Sequence, residues 1–175
     1  QNKGKGRKTC IAISGGTTFK EIFTRFNSFS KLQSKYNQKE IWDTIDFYLI
    51  DERCVPSNNE KSNYYNLNKV FFKNSSSNLN KIDMSFDKNT ISKIYQDHIF
   101  ANVPLENGYP AFDLLYLGMG TDGHIGSIFK ENISSCLQKE AVKFIERKND
   151  LDRITMTFPT IKNAKKRIIV FLSNE

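Results

Sequence analysis

The chain has 175 residues, 38% of them hydrophobic and 26% charged, with a formal net charge of +7. That length suits one domain with a sizeable core, and the balance is that of a globular protein rather than a disordered or fibrous one. No apolar run approaches the roughly 18 residues of a membrane span, and "QNKGKGRK" precedes no apolar segment of signal-peptide length.

Three widely spaced cysteines, Cys10, Cys54 and Cys136, lack metal-ligand spacing. They suit reduced thiols in a cytoplasmic compartment. The positive charge could serve an anionic partner, either nucleic acid or a phosphorylated metabolite. Its lysines, however, are scattered among asparagines in loop-like tracts, which favours a solvated surface.

In chain order, "TCIAIS" (from Thr9) is a short apolar run rich in β-branched residues, halted by Gly15-Gly16. "TTFKEIFTRFNSF" follows, with Phe19, Ile22, Phe23 and Phe26 at helical spacing and Thr17 or Thr18 able to cap the helix. "IDFYLI" is a second buried-strand candidate, closed by the charged "DER". "SNYYNLNKVFF" predicts a helix, the polar tract from Asn74 to Lys81 an exposed loop, and "NTISKIYQDHIFANV" a further helix through Ile91, Ile94, Tyr95 and Ile99. "FDLLYLG" is a third strand; "QKEAVKFIERK" reads as helical or irregular; "RITMTF" and "RIIVFL" read as two more strands.

Strands separated by helices predict a doubly wound α/β domain, a mostly parallel sheet covered on both faces. The whole of residues 1–175 reads as one such domain. A covered parallel strand needs a following helix, so the chain is expected to continue beyond Glu175, and "QNKGKGRK" reads as a surface connection to whatever precedes it.

Ligands of open parallel sheets bind beyond the carboxyl ends of the strands. Here those ends carry Gly15-Gly16-Thr17-Thr18, Asp51-Glu52-Arg53, and Met119-Gly120-Thr121-Asp122-Gly123-His124, all expected on one rim. Two glycines before a helix start allow close approach of a phosphate to free N–H groups, or simply make a tight capped turn. Arg53 has the planar fork that grips phosphate or carboxylate. Asp51 can accept from hydroxyls or orient a histidine, and Glu52 can do either or pair with Arg53.

Gly118, Gly120 and Gly123 spell G-x-G-x-x-G. A dinucleotide fingerprint needs an acid ending the next strand about 20 residues on, and none is found there. The intruding Asp122 and His124 favour a catalytic turn instead. His124 is one of two histidines. A histidine's ordinary pKa near 6.5 suits a general base, and either Asp122 or Asp51 could fix its tautomer. His98, within a helix, reads as structural. Ser14 and Ser127 lack the surroundings of a nucleophile elbow, and no Cys/His cluster offers a metal site.

Taken in order, "ISGGTT", "DERCVP" followed by "SNYYNL", "FDLLYLGMGTDGHIGSIF", and "RITMTF" followed by "NA" resemble the motifs of 6-phosphogluconolactonases, from Cys10 to Ser173. The resemblance implies the doubly wound, Rossmann-like sheet shared with sugar-phosphate isomerases. It implies hydrolysis of 6-phosphoglucono-δ-lactone to 6-phosphogluconate, the second step of the oxidative pentose phosphate pathway, without metal or other cofactor. His124 matches the family's general base, with Asp122 and Asp51 in support. Gly15, Gly16, Thr17, Thr18 and Arg53 match phosphate and substrate contacts, Gly120 and Gly123 the frame of the turn, and Arg153 an arginine near the pocket. N–H groups of the glycine turn are expected to stabilise a developing oxyanion.

There are departures. The family's phosphate-binding lysine would lie beyond Glu175, and Lys130 stands where proline is usual. A glucosamine-6-phosphate deaminase on the same fold is the nearest alternative, but its motifs resemble "DEY" and "GNGH", whereas Arg53 and Asp122 stand here. A third reading is a degenerate lactonase domain within a longer chain. In some organisms the domain is fused to glucose-6-phosphate dehydrogenase, which supplies its substrate. The expected partner is thus a small sugar-phosphate lactone, with neither nucleic acid nor membrane involved.

Overall fold

The structure is a computed structural model describing residues 6–16, 19–25 and 38–171. Strand β1 (Thr9–Ile13) leads to helical residues 19–25, α1. Next come α2 (Gln38–Trp42), β2 (Ile45–Leu49), β3 (Asp51–Arg53), α3 (Asn63–Val70) and β4 (Asn78–Asn80). The long helix α4 (Lys88–Asn102) and a small hairpin, β5 (Leu105–Glu106) with β6 (Tyr109–Pro110), precede β7 (Leu114–Gly118). The last elements are α5 (Ile133–Cys136), β8 (Val142–Ile145), β9 (Arg153–Met156), α6 (Phe158–Asn163) and β10 (Arg167–Val170). The expectations for Thr17, Thr18 and Phe26 lie outside the described residues.

Five strands form one sheet in the order β10-β7-β1-β2-β4, every neighbouring pair parallel. This is the expected doubly wound α/β sheet. Alternation along β2 shows how its two faces are covered. Neighbouring strand residues point to opposite sides. Phe47 meets Phe23 of α1 and Phe72 just beyond α3, at ring-centroid distances of 6.3 and 5.0 Å. Tyr48, the next residue, meets Phe112 at 5.4 Å and His98 of α4 at 6.0 Å. Each of the contacts among Phe and Tyr rings adds about 0.5–1.5 kcal/mol beyond simple burial. His98 therefore has the structural place expected of it, holding Asn80 Oδ1 at 3.0 Å as well.

Four strand assignments differ from expectation. "RITMTF" supplies β9, but in a separate antiparallel sheet, β3-β9-β8. "DER" is not a loop closing β2 but the strand β3 itself, tied on by Ile50, whose N–H donates to Ile13 and whose carbonyl accepts from Met156. The segment read as helical or irregular contains β8: its buried Val142 and Ile145 pair with Met156 and Arg153 of the next strand, which local periodicity does not reveal. The polar tract after Asn74 hides the short edge strand β4, with only Leu79 buried.

The strand order has one consequence for function. From β1 the chain winds outward through β2 and β4, then crosses back to β7 on the other side of β1. Connections thus leave β1 and β7 in opposite directions, and the carboxyl ends of these neighbours flank the crevice where such sheets bind ligands.

Candidate active site

A cleft of about 330 Å³ occupies that crevice, lined by residues from all three expected clusters. Ser14 and Gly16 come from the end of β1, Asp51 and Arg53 from β3, and Gly118 to Thr121, His124 and Gly126 from the turn after β7.

The turn carries its histidine in a defined pose. Gly120 N–H donates to the His124 carbonyl at 2.8 Å, Gly123 N–H donates to the Gly120 carbonyl at 2.9 Å, and Gly123 takes φ of 85°, which favours glycine. The imidazole lies over Gly120: a β-carbon there would sit 2.2 Å from His124 Cε1. Nδ1 of His124 is 2.5 Å from Asp122 Oδ1. That bond lowers the Asp122 carboxyl below its ordinary value, so it is an anion and an acceptor. The proton of the pair therefore sits on Nδ1, so that in the neutral imidazole the lone pair is on Nε2. Phe129 packs against the same imidazole at 4.7 Å between centroids and carries the Arg147 guanidinium 3.8 Å from its own ring centre. Arg147 in turn pairs with Glu131.

Asp51 does not reach the histidine by hydrogen bond. Its Oδ2 accepts from the Ser127 hydroxyl at 2.8 Å, in a buried pocket, and the Ser127 N–H donates to Thr155 Oγ1. Of the two carboxylates that could fix the imidazole, Asp122 makes the contact.

Glu52 turns away from the cleft. It accepts from the N–H groups of Arg53, Asn63 and Tyr64 and from the Ser62 hydroxyl, all within 2.9 Å. It thus satisfies the open amino end of α3, where a carboxylate is favoured. Burial raises its pKa, the four donors opposing. It does not pair with the Arg53 guanidinium, whose Nη1 instead donates to the Lys61 carbonyl at 2.7 Å.

Other expected residues sort as follows. Gly16 is open and lines the cleft, but Gly15 is buried because Asn63 packs on it; a β-carbon there would lie 2.3 Å from Asn63 Cβ. Gly123 shapes the turn without lining the cleft. Arg153 is placed elsewhere: its guanidinium holds Asp150 at 2.7 Å and the Leu151 carbonyl, away from the cleft. The N–H groups of Gly118, Met119, Gly120 and Gly123 all donate within the protein, so the expected oxyanion contacts are not offered by these four.

Sequence reasoning missed Asn63, Ser127 and Gly126 (φ 54°) as parts of the site. Their only sequence signal is membership of the same motif strings. Among the described residues, no three His, Cys, Asp or Glu side chains gather as metal ligands, and no helix is long and apolar enough to cross a membrane.

The family described as glucosamine-6-phosphate isomerases/6-phosphogluconolactonase matches residues 2–175. A 6-phosphogluconolactonase of Borreliella burgdorferi is 30% identical, over 98% of this chain and 71% of its own. That of Thermotoga maritima is 29% identical, over 90% and 66% respectively. The chain thus spans about two thirds of the length of such curated relatives. A crystal structure of 6-phosphogluconolactonase from Thermotoga maritima superposes with a TM-score of 0.77 at 26% identity, covering 94% of this chain and 70% of that one. Matched along nearly its whole length, with residues of three motif clusters gathered at one cleft, the chain belongs to the family of glucosamine-6-phosphate isomerases and 6-phosphogluconolactonases.

Proposed function

We propose that this chain hydrolyses 6-phosphoglucono-δ-lactone to 6-phosphogluconate, with His124 as general base. The observation that carries the reading is the Asp122–His124 pair, aimed into the cleft between β1 and β7 with Nε2 free of partners among the described residues. The names of the relatives support the same reaction.

Nε2 takes a proton from water as the water oxygen attacks the lactone carbonyl. The tetrahedral intermediate collapses, the ring C–O bond breaks, and the imidazolium returns the proton to the departing ring oxygen. Asp122 keeps the ring oriented and stabilises the cation formed midway. A δ-lactone is strained and electrophilic, so a positioned base contributing about 10²–10⁴-fold is adequate help. Arg53 reaches the cleft with charge that suits the phosphate end. Asp51, held by Ser127, supports the wall of the cleft and the segment that follows His124.

The test is release of acid from freshly made 6-phosphogluconolactone, corrected for spontaneous hydrolysis. Acceleration by the intact protein is expected; none would overturn the reading.

A further inference from the structure

We propose that Asn63 is a specificity-determining residue, its amide oxygen accepting a hydrogen bond from one hydroxyl of the bound sugar lactone. The inference rests on the lactonase reading of the cleft and deepens it.

Asn63 lines the cleft and is 1% exposed. Its Nδ2 donates to the Asp51 carbonyl at 2.9 Å, and its backbone N–H donates to Glu52 at 2.7 Å. The amide cannot be turned over, since that would set its oxygen against the Asp51 carbonyl oxygen. Oδ1 is thereby fixed, and among the described residues it is the one buried side-chain nitrogen or oxygen without a hydrogen-bond partner.

Buried acceptors are rarely left so, because an unmade bond costs the full desolvation of the group. The position is also built deliberately. Only glycine at position 15 admits Asn63, since any β-carbon there would lie 2.7 Å from Oδ1 itself.

An amide oxygen takes only donors. A sugar lactone offers hydroxyls at C2, C3 and C4. The phosphate end offers a charged acceptor, which Oδ1 repels and Arg53 attracts. The two residues, both lining the cleft, thus give it a hydroxyl-selective point and an anion-selective point.

The experiment compares kcat/KM of the intact protein for 6-phosphogluconolactone and its 2-, 3- and 4-deoxy analogues. One deoxy analogue is expected to lose about ten- to hundredfold, as sites built around a buried polar group do when its partner is missing. In Asn63→Ala that penalty should shrink below about twofold while the other two analogues behave as before. Asn63→Leu, closer in volume, serves if the alanine variant does not fold. Equal turnover of all four lactones by the native protein overturns the inference but leaves the lactonase reading intact, and so does a penalty that persists in the variant. Failure to hydrolyse the parent lactone overturns both.

Discussion

The two ends of the parallel sheet carry charges to opposite effect. At the amino ends of the strands, Asp113 is saturated: both guanidinium nitrogens of Arg7, the Cys10 N–H and Lys165 all donate to it, at 2.7 to 3.1 Å. Lys8 closes on Asp46 beside it at 3.0 Å. At the carboxyl ends, three cleft-lining polar groups are each held by one side and presented by the other. His124 is gripped through Nδ1, Arg53 through a carbonyl, and Asn63 through its amide nitrogen. Charges that satisfy one another weld strands together; charges held by backbone or by a single partner leave capacity for a ligand. Unfilled bonding capacity, rather than charge itself, separates the rim that lines the cleft from the opposite one.

The comparison breaks most severely if His124 is not the working group. His124→Ala is expected to lower kcat by about 10²–10⁴-fold with the circular dichroism spectrum unchanged; near-native turnover would remove the rim's central member. Asp122→Asn should cost less, about 10–100-fold, because the imidazole keeps its place over Gly120 but loses the anion that fixes its proton. A variant as slow as His124→Ala would instead make Asp122 a direct participant.

Arg53→Ala should raise KM for the phosphorylated lactone by about tenfold, and hardly change that for the unphosphorylated sugar lactone. Equal effects on both would mean that Arg53 only braces the Lys61 carbonyl.

At the opposite end, Asp113→Asn should leave kcat/KM unchanged and remove about 1 kcal/mol of stability. The Arg7 hydrogen bonds hold the Asp113 carboxyl well below the usual carboxylate range. A depressed carboxyl stabilises the fold fully above its unfolded pKa near 3.9, and loses that contribution as pH falls through the folded value. Denaturation midpoints of native and variant protein should therefore differ by a constant amount above about pH 5. They should converge below about pH 4; a gap that stayed constant into strong acid would contradict the ionic origin.

How much of this was legible in the sequence depended on distance along the chain. β1, β2, β7 and the long helix α4 were readable because their burial repeats within a few residues, and the three motif clusters because each directly follows such a run. Pairings across long stretches were not. Asp51 meets Ser127 76 residues away, and nothing near Asp51 announces a hydroxyl partner. Glu52 satisfies a helix that begins 11 residues later, outside any local capping pattern. Arg153 was expected near the pocket because it matches an arginine of the family's pattern, yet its strand runs antiparallel, and its first residue stands opposite Arg53 with its side chain spent on the preceding loop.

The three-residue strand β3 sets a rule for what this protein can tolerate over time. Asp51 and Arg53 face the cleft while Glu52, between them, faces α3. Strand alternation makes that division indifferent to many neighbouring substitutions but intolerant of changes in length. One residue inserted or deleted between Ile50 and Cys54 would send the helix-binding carboxylate into the cleft and drive the cleft residues towards the helix. Homologous chains that share the proposed activity should therefore vary in the loops on either side, and never in the residue count of this strand.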